Sequence, residues 1–199
     1  MLTIAIIGGI CCGKSTALKF FQDKHIACFS ADDVARQLTQ INTLEYNLIL
    51  QHVGSDCLHP NDELNRGYLR QKMLQDASFK QWLEQLLHPK IKQLLLQARD
   101  KAHGPYCVLE TPLLKDKQSY CIDRVLNIDC GLEQQIYRLH SRGLSPDDIQ
   151  GLLNHQVARE LRDAITDDRI INNGDIHSFY HQLEQLHQYY LKRATEVTP

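Results

Sequence analysis

The sequence predicts an α/β fold built on a parallel sheet, and three observations carry that prediction. Strand and helix patterns alternate along the chain. The first strand pattern is short, apolar and rich in Ile, as expected of a strand buried on both faces. A glycine-punctuated stretch, Gly8-Gly9-Ile10-Cys11-Cys12-Gly13-Lys14-Ser15, then joins that strand directly to a helix pattern.

The elements follow in order. Residues 3–7 form the first strand, and residues 14–24 the first helix. Residues 25–29 read as a second, short strand. Ser30-Ala31-Asp32-Asp33 opens the next helix, whose acids suit the positive end of its first turn. From residue 42 to 102 the pattern is mostly helical, interrupted near Gly54 and at His59-Pro60-Asn61-Asp62. Leu83, Leu86, Leu87, Ile91, Leu94 and Leu95 keep helical spacing, and Pro89 among them predicts a kink or a break. Residues 106–109 and 124–128 form the third and fourth strands, and residues 132–142 a helix. Ser145 is an N-cap, with Pro146 at the first helical position. Residues 169–171 form a last strand ending at Asn172-Asn173-Gly174, and a final helix runs over residues 176–194.

The G-x-x-x-x-G-K-S stretch is the phosphate-binding loop of P-loop proteins, and each part has a mechanical task. Gly8 and Gly13 allow sharp turns that point successive N–H groups inward. Lys14 brings a mobile point charge to the β- and γ-phosphates, and Ser15 a hydroxyl for Mg²⁺. The following helix directs its positive end at the phosphates. In a parallel sheet, ligands bind beyond the carboxyl ends of the strands. The remaining chemistry is therefore expected at Ser30-Ala31-Asp32, Glu110-Thr111-Pro112, Asp129 and Asn172-Asn173-Gly174.

With 22 basic and 24 acidic residues in 199, the chain has no general nucleic-acid or membrane surface. No apolar stretch is long enough to span a bilayer, and the first strand lacks the basic flank of a signal peptide. The seven cysteines show no C-x-x-C pair, which reads as reduced thiols in a cytoplasm. Cys57 and His59 lack two further ligands, so that segment reads as a loop rather than a zinc site.

Taken together, the strand-end segments resemble the dephospho-CoA kinase family. The resemblance rests on Gly8-Gly9-Ile10 with Gly13-Lys14-Ser15-Thr16, on Ala31-Asp32 followed by Ala35-Arg36, and on Leu87-His88-Pro89. It continues through Pro112-Leu113-Leu114, Arg138 and Arg142, Gln156, and Asp168 with Ile170-Ile171-Asn173-Gly174. The pieces occur in order from the first strand to the last. The resemblance implies a parallel-sheet, P-loop nucleoside-kinase-like fold forming one domain over residues 1–199. Its core covers about 1–40, 103–140 and 167–199, a helical acceptor-site insertion about 41–102, and a helical lid about 143–166. In such folds the second strand is expected beside the P-loop strand.

The implied reaction moves the γ-phosphoryl group of ATP, with Mg²⁺, to the ribose 3′-hydroxyl of dephospho-CoA. Gly8, Cys11, Cys12, Gly13, Lys14, Ser15 and Thr16, with Arg142 and Asn173, are then the ATP-binding residues, and Ser15 the metal ligand. Asp32, Lys14 and Arg138 are the catalytic residues, Asp32 as base or orienter of the attacking hydroxyl. Arg138 and Arg142, four apart on one helix face, would close over the transferring phosphate. Asp32, Arg36, His88, Pro112, Leu113 and Leu114 form the acceptor side. The partners are these two small molecules, without nucleic acid or membrane, and a monomer is the expected state. From residues alone, Asp32 is equally a helix-cap acid, and the arginines a solvated basic face.

The chain departs from the family pattern at Cys11 and Cys12, where glycine and serine are usual. It departs also at Ser30, at Lys115-Asp116 and at Gly143. A left-handed backbone at Cys11 would cost about 1 kcal/mol. Lys14 and the helix end would favour thiolate at Cys11 or Cys12, so modification of one of them is expected to block ATP, as a mixed disulfide with a small thiol. Two other functions compete: a P-loop kinase for another nucleoside or nucleotide acceptor, and a nucleotide-binding switch. The second lacks an Asn-Lys-x-Asp segment, since Asn127-Ile128-Asp129 has no lysine.

Overall fold

The first strand, β1 (Leu2–Gly8), lies at the middle of a five-stranded sheet, with Ile4, Ala5 and Ile6 completely buried. The structure is a computed structural model that describes residues 1–111, 114 and 116–197, the last by its backbone. The other strands are β2 (Ala27–Ser30), β3 (Tyr106–Glu110), β4 (Arg124–Asp129) and β5 (Asp168–Ile171). Their order is β2-β3-β1-β4-β5, and every pairing is parallel.

The sheet takes its stability from apolar burial on both faces. Leu2, Ile4 and Ile6 share one core with Tyr106, Val108, Leu126, Ile128 and Ile170, all on alternating strand positions. Helix α1 (Lys14–Asp23) adds Ala17, Leu18 and Phe21 to that core. Helix α9 (Ile176–Val197) adds Phe179, Leu183, Tyr190 and Ala194. The alternate residues Ala5, Cys107, Leu109 and Val125 are equally buried on the other side. At ~25 cal/mol per Å² of apolar surface, this two-sided burial is the main stabilising term.

One expectation about the sheet is overturned. The second strand does not neighbour the P-loop strand, because β3 lies between them. Glu110 of β3 is paired with Ile6 on one side and Ser30 on the other.

The chain divides into two compact units, Met1–Ser30 with Ala98–Pro199, and Ala31–Gln97. The first holds the sheet, α1 and α9, and also α6 (Leu132–His140), α7 (Pro146–His155) and α8 (Arg159–Ala164). Ser145 caps α7 as expected, accepting the Asp148 N–H at 3.2 Å, with Pro146 in the first turn.

The second unit holds α2 (Ala31–Leu38), α3 (Leu44–Val53), α4 (Arg66–Gln75) and most of α5 (Ala77–Lys101). It has its own core of Tyr46, Ile49, Cys57, Leu64, Leu69, Phe79 and Leu83. Helix α5 runs unbroken through Pro89. Proline there removes one backbone hydrogen bond, but Leu83 before it and Ile91 and Leu95 after it are all buried, which favours one continuous helix over a break. No helix of the described residues is long and apolar enough to cross a membrane.

Candidate active site

The site starts where β1 ends. A Cβ on Gly8 would lie 2.0 Å from the Ile128 carbonyl oxygen, so only glycine fits between β1 and β4 there. Gly13 turns the chain into α1 with φ 111°, a backbone that side chains avoid. Cys11 also has positive φ, 58°, the strained state expected if cysteine replaces glycine there. Gly13 offers α1 no side-chain cap, and no acid occupies the first turn. The amides at that end, with the helix dipole behind them, form an anion receptor. Ser15 is exposed there, while Lys14 and Thr16 are half-buried.

The carbonyls of the loop are tied back one by one. Lys14 Nζ donates to the oxygens of Gly8 at 3.1 Å and Gly9 at 2.9 Å. Gln135 Nε2 donates to Ile10 O at 3.1 Å, and Arg138 to Cys11 O at 3.1 Å. Asn172 Nδ2 donates to Cys12 O at 2.8 Å. Five successive carbonyls thus have side-chain donors, which keeps their negative ends occupied. Gln156 Oε1 accepts the Ile10 N–H at 3.3 Å. Arg138 also holds Asn172 O at 3.0 Å, which joins the loop to the end of β5.

Beneath the loop, Cys12 Sγ lies 2.6 Å from Cys130 Sγ, and both thiols are buried. The hydrogen bond from Cys130 holds the Cys12 thiol down at about 7, against the opposing effect of burial. The same pairing, with burial, pushes Cys130 up.

Asp129, at the end of β4, is the charged centre of the neighbouring cavity. Its carboxylate is 3.0 Å from Arg159 Nε and 3.6 Å from Arg162, both on α8. The cavity has a volume of about 390 Å³ and is lined by Asp129, Cys130, Gln135, Gln156, Arg159 and Arg162 among others.

The sequence-derived residues distribute as follows. The loop residues and Arg138 come together in the sheet unit. Arg142 does not share the α6 face with Arg138, because α6 ends at His140 and Arg142 is exposed in the following turn. Asn173 accepts the Gly131 N–H at 2.8 Å, and it is the neighbouring Asn172 that meets the loop. Asp32 and Arg36 lie on α2, both exposed, with Arg36 3.3 Å from Asp33. His88 is half-buried within α5. Leu114 is buried, and Pro112 and Leu113 lie outside the described residues. Gln135 and Asn172 carried no signal in the sequence beyond their positions near strand ends.

The chain matches the family model for dephospho-CoA kinase over residues 2–178. It is 37% identical over 195 residues to a dephospho-CoA kinase of Hahella chejuensis, covering 97% of this chain and 94% of that one. It is 37% identical over 197 residues to a dephospho-CoA kinase of Coxiella burnetii, covering 98% and 99%. A solved structure from Thermus thermophilus shares the fold with a TM-score of 0.75 at 22% identity, covering 100% of this chain and 98% of the other.

Proposed function

The chain belongs to the dephospho-CoA kinase family, and from that premise we propose that it phosphorylates the ribose 3′-hydroxyl of dephospho-CoA with ATP, the final step of coenzyme A synthesis. The observation that carries this reading is the match to one family model across residues 2–178. The loop's chemistry supports it, with five carbonyls tied to side chains and an uncapped helix end beyond them.

Phosphoryl transfer asks for positioning and charge neutralisation more than covalent help. The loop amides, those of Cys11 and Cys12 among them, and Lys14 hold the phosphates of ATP, with Thr16 at the start of α1 beside them. Lys14 leaves the Gly8 and Gly9 carbonyls to do so. Arg138 spends two donors on the loop and β5, which fixes its guanidinium at the loop's rim with donors left for phosphate. Arg142 and Asn173 belong to the nucleotide side in this reading. Arg159 and Arg162 add positive charge on the lid, residues 143–166, where Asp129 now balances them.

Asp32 accepts a hydrogen bond from the 3′-hydroxyl and orients it for attack. Arg36, His88 and Pro112-Leu113-Leu114 provide the acceptor side, with the helical region 41–102 as the insertion that carries most of it. The residues present suit Mg²⁺: Ser15 is exposed at the helix end, a hard oxygen donor beside the phosphate receptor. The ion, once bound, neutralises charge on the transferring phosphoryl group.

The test is a coupled assay with ATP and dephospho-CoA beside a panel of nucleosides and nucleotides, with products identified by mass spectrometry. Phosphorylation of dephospho-CoA is the expected result. Turnover of another acceptor without any of dephospho-CoA overturns the reading.

A further inference from the structure

The phosphate-binding role leaves the thiols of Cys12 and Cys130 unused, although they are in direct contact beneath the loop. Cys12 is on the loop, and Cys130 follows the last residue of β4. We propose that Cys12 and Cys130 form a reversible intrachain disulfide that locks the phosphate loop to the β4–α6 turn and weakens nucleotide binding. The effect on binding rests on the loop being the nucleotide site.

Three features single out this pair among the seven cysteines. First, the partner is already in place, whereas a mixed disulfide would have to fit a second molecule against the fully buried Cys12. Second, Cys130 lines the cavity of about 390 Å³ beside Gln135 and Arg159, so a small oxidant can approach the pair from the Cys130 side. Third, the hydrogen bond from Cys130 favours the thiolate form of Cys12, which makes Cys12 the more acidic member and the nucleophile of the pair. Burial dominates instead at Cys28, pushed up to about 12, and also pushes up Cys57 and Cys107.

The oxidant is hydrogen peroxide. The Cys12 thiolate attacks one peroxide oxygen, the O–O bond breaks, and Cys12 becomes a sulfenic acid as hydroxide leaves and takes a proton. The Cys130 sulfur then attacks the Cys12 sulfur, forming the S–S bond and expelling water. Two thiols and one peroxide give one disulfide and two waters. A dithiol reductant reverses the change.

Locking Cys12 opposes the movement that phosphate binding requires of the loop. The Cys12 N–H is turned to Gly9 O at 3.4 Å, and Lys14 is bonded to the loop's own carbonyls. Both donors must turn outward to meet phosphate. A covalent tether at Cys12 resists the first of these movements.

The test uses the full-length chain, treated with one equivalent of hydrogen peroxide, alkylated and digested without reductant. Mass spectrometry is expected to find a peptide pair joined through Cys12 and Cys130, lost in Cys130→Ser and after dithiothreitol. A fluorescent ATP analogue is expected to bind the oxidised protein about tenfold more weakly than the reduced one. Cys12 and Cys130 that remain open to alkylation under denaturing conditions overturn the disulfide. Equal affinity in both forms overturns the effect on binding. A reduced protein that does not bind the analogue overturns the nucleotide reading and with it that effect, while the joined peptide still decides the disulfide.

Discussion

The Nε of Arg159 lies 3.0 Å from Oδ2 of Asp129, a carboxylate only 3% exposed, whereas the Arg159 side chain is 53% exposed. Arg162 approaches the same carboxylate from within the protein, with its side chain 8% exposed, and donates to the Val157 carbonyl. The two arginines therefore differ in energetic weight. Arg162→Ala is expected to destabilise the fold by about 2–3 kcal/mol, as loss of a buried charged donor does. Arg159→Ala is expected to cost about 1 kcal/mol or less, because solvent screens its half of the pair. Urea denaturation of both variants compares them, and equal losses would contradict the assignment.

Cys11 has φ 58°, in the left-handed region that glycine tolerates and cysteine does not favour. Cys11→Gly removes that cost and is expected to stabilise the protein by about 1 kcal/mol. Its Arg138 contact is made through the backbone carbonyl and survives the change. The measurement is the urea midpoint at constant slope.

Asp32→Asn tests the acceptor side. The substitution keeps shape and removes the charge that would receive the hydroxyl proton. ATP affinity is expected to stay within about twofold, while transfer falls by roughly 10²–10⁴-fold. Isothermal titration and a product assay separate the two. A variant that transfers at the wild-type rate shows that another group orients the hydroxyl.

Asp167 gives a dependence on pH with a definite sign. Burial pushes its carboxyl up, but Lys117 at 2.7 Å and the Val125 N–H at 2.7 Å outweigh burial and hold it below the usual range. A carboxyl lowered in the folded state stabilises the fold above its unfolded value, about 3.9, and loses that contribution as pH falls through the folded value. Asp167→Asn is therefore expected to be less stable by about 1.5–3 kcal/mol at neutral pH. Below about pH 4 the wild-type curve should fall more steeply than the variant's. Denaturation midpoints across pH 2–7 measure both.

The features that were legible in the sequence have local causes. The Ile-rich run of β1, the Gly8 and Gly13 turns, and the Ser145-Pro146 helix start each show their backbone requirement in neighbouring residues. Strand order is different, since β3 enters between β1 and β2 through pairings such as Leu2 with Tyr106 and Ala27 with Cys107, far apart in the sequence. No local pattern encodes that choice. Pro89 carried a local signal for a kink or a break, and the burial of Leu83 and Ile91 favoured continuity over the break. Gln135 and Asn172 were hidden for a third reason. Their task is to hold carbonyls 125 and 160 residues away, and an isolated amide in a helix or after a strand shows no such purpose.

The insertion of β3 beside β1 has a consequence for synthesis. As the chain leaves the ribosome, β1 and β2 emerge with neither able to pair, because β1 borders only β3 and β4, and β2 pairs only with β3. No ladder can begin until the residues from Tyr106 to Glu110 are free. Through that interval the apolar run of β1 has no partner strand, which is a window for self-association. A nascent chain arrested before Tyr106 should accordingly be aggregation-prone, and one arrested well beyond Asp129 should gain a protease-resistant β1.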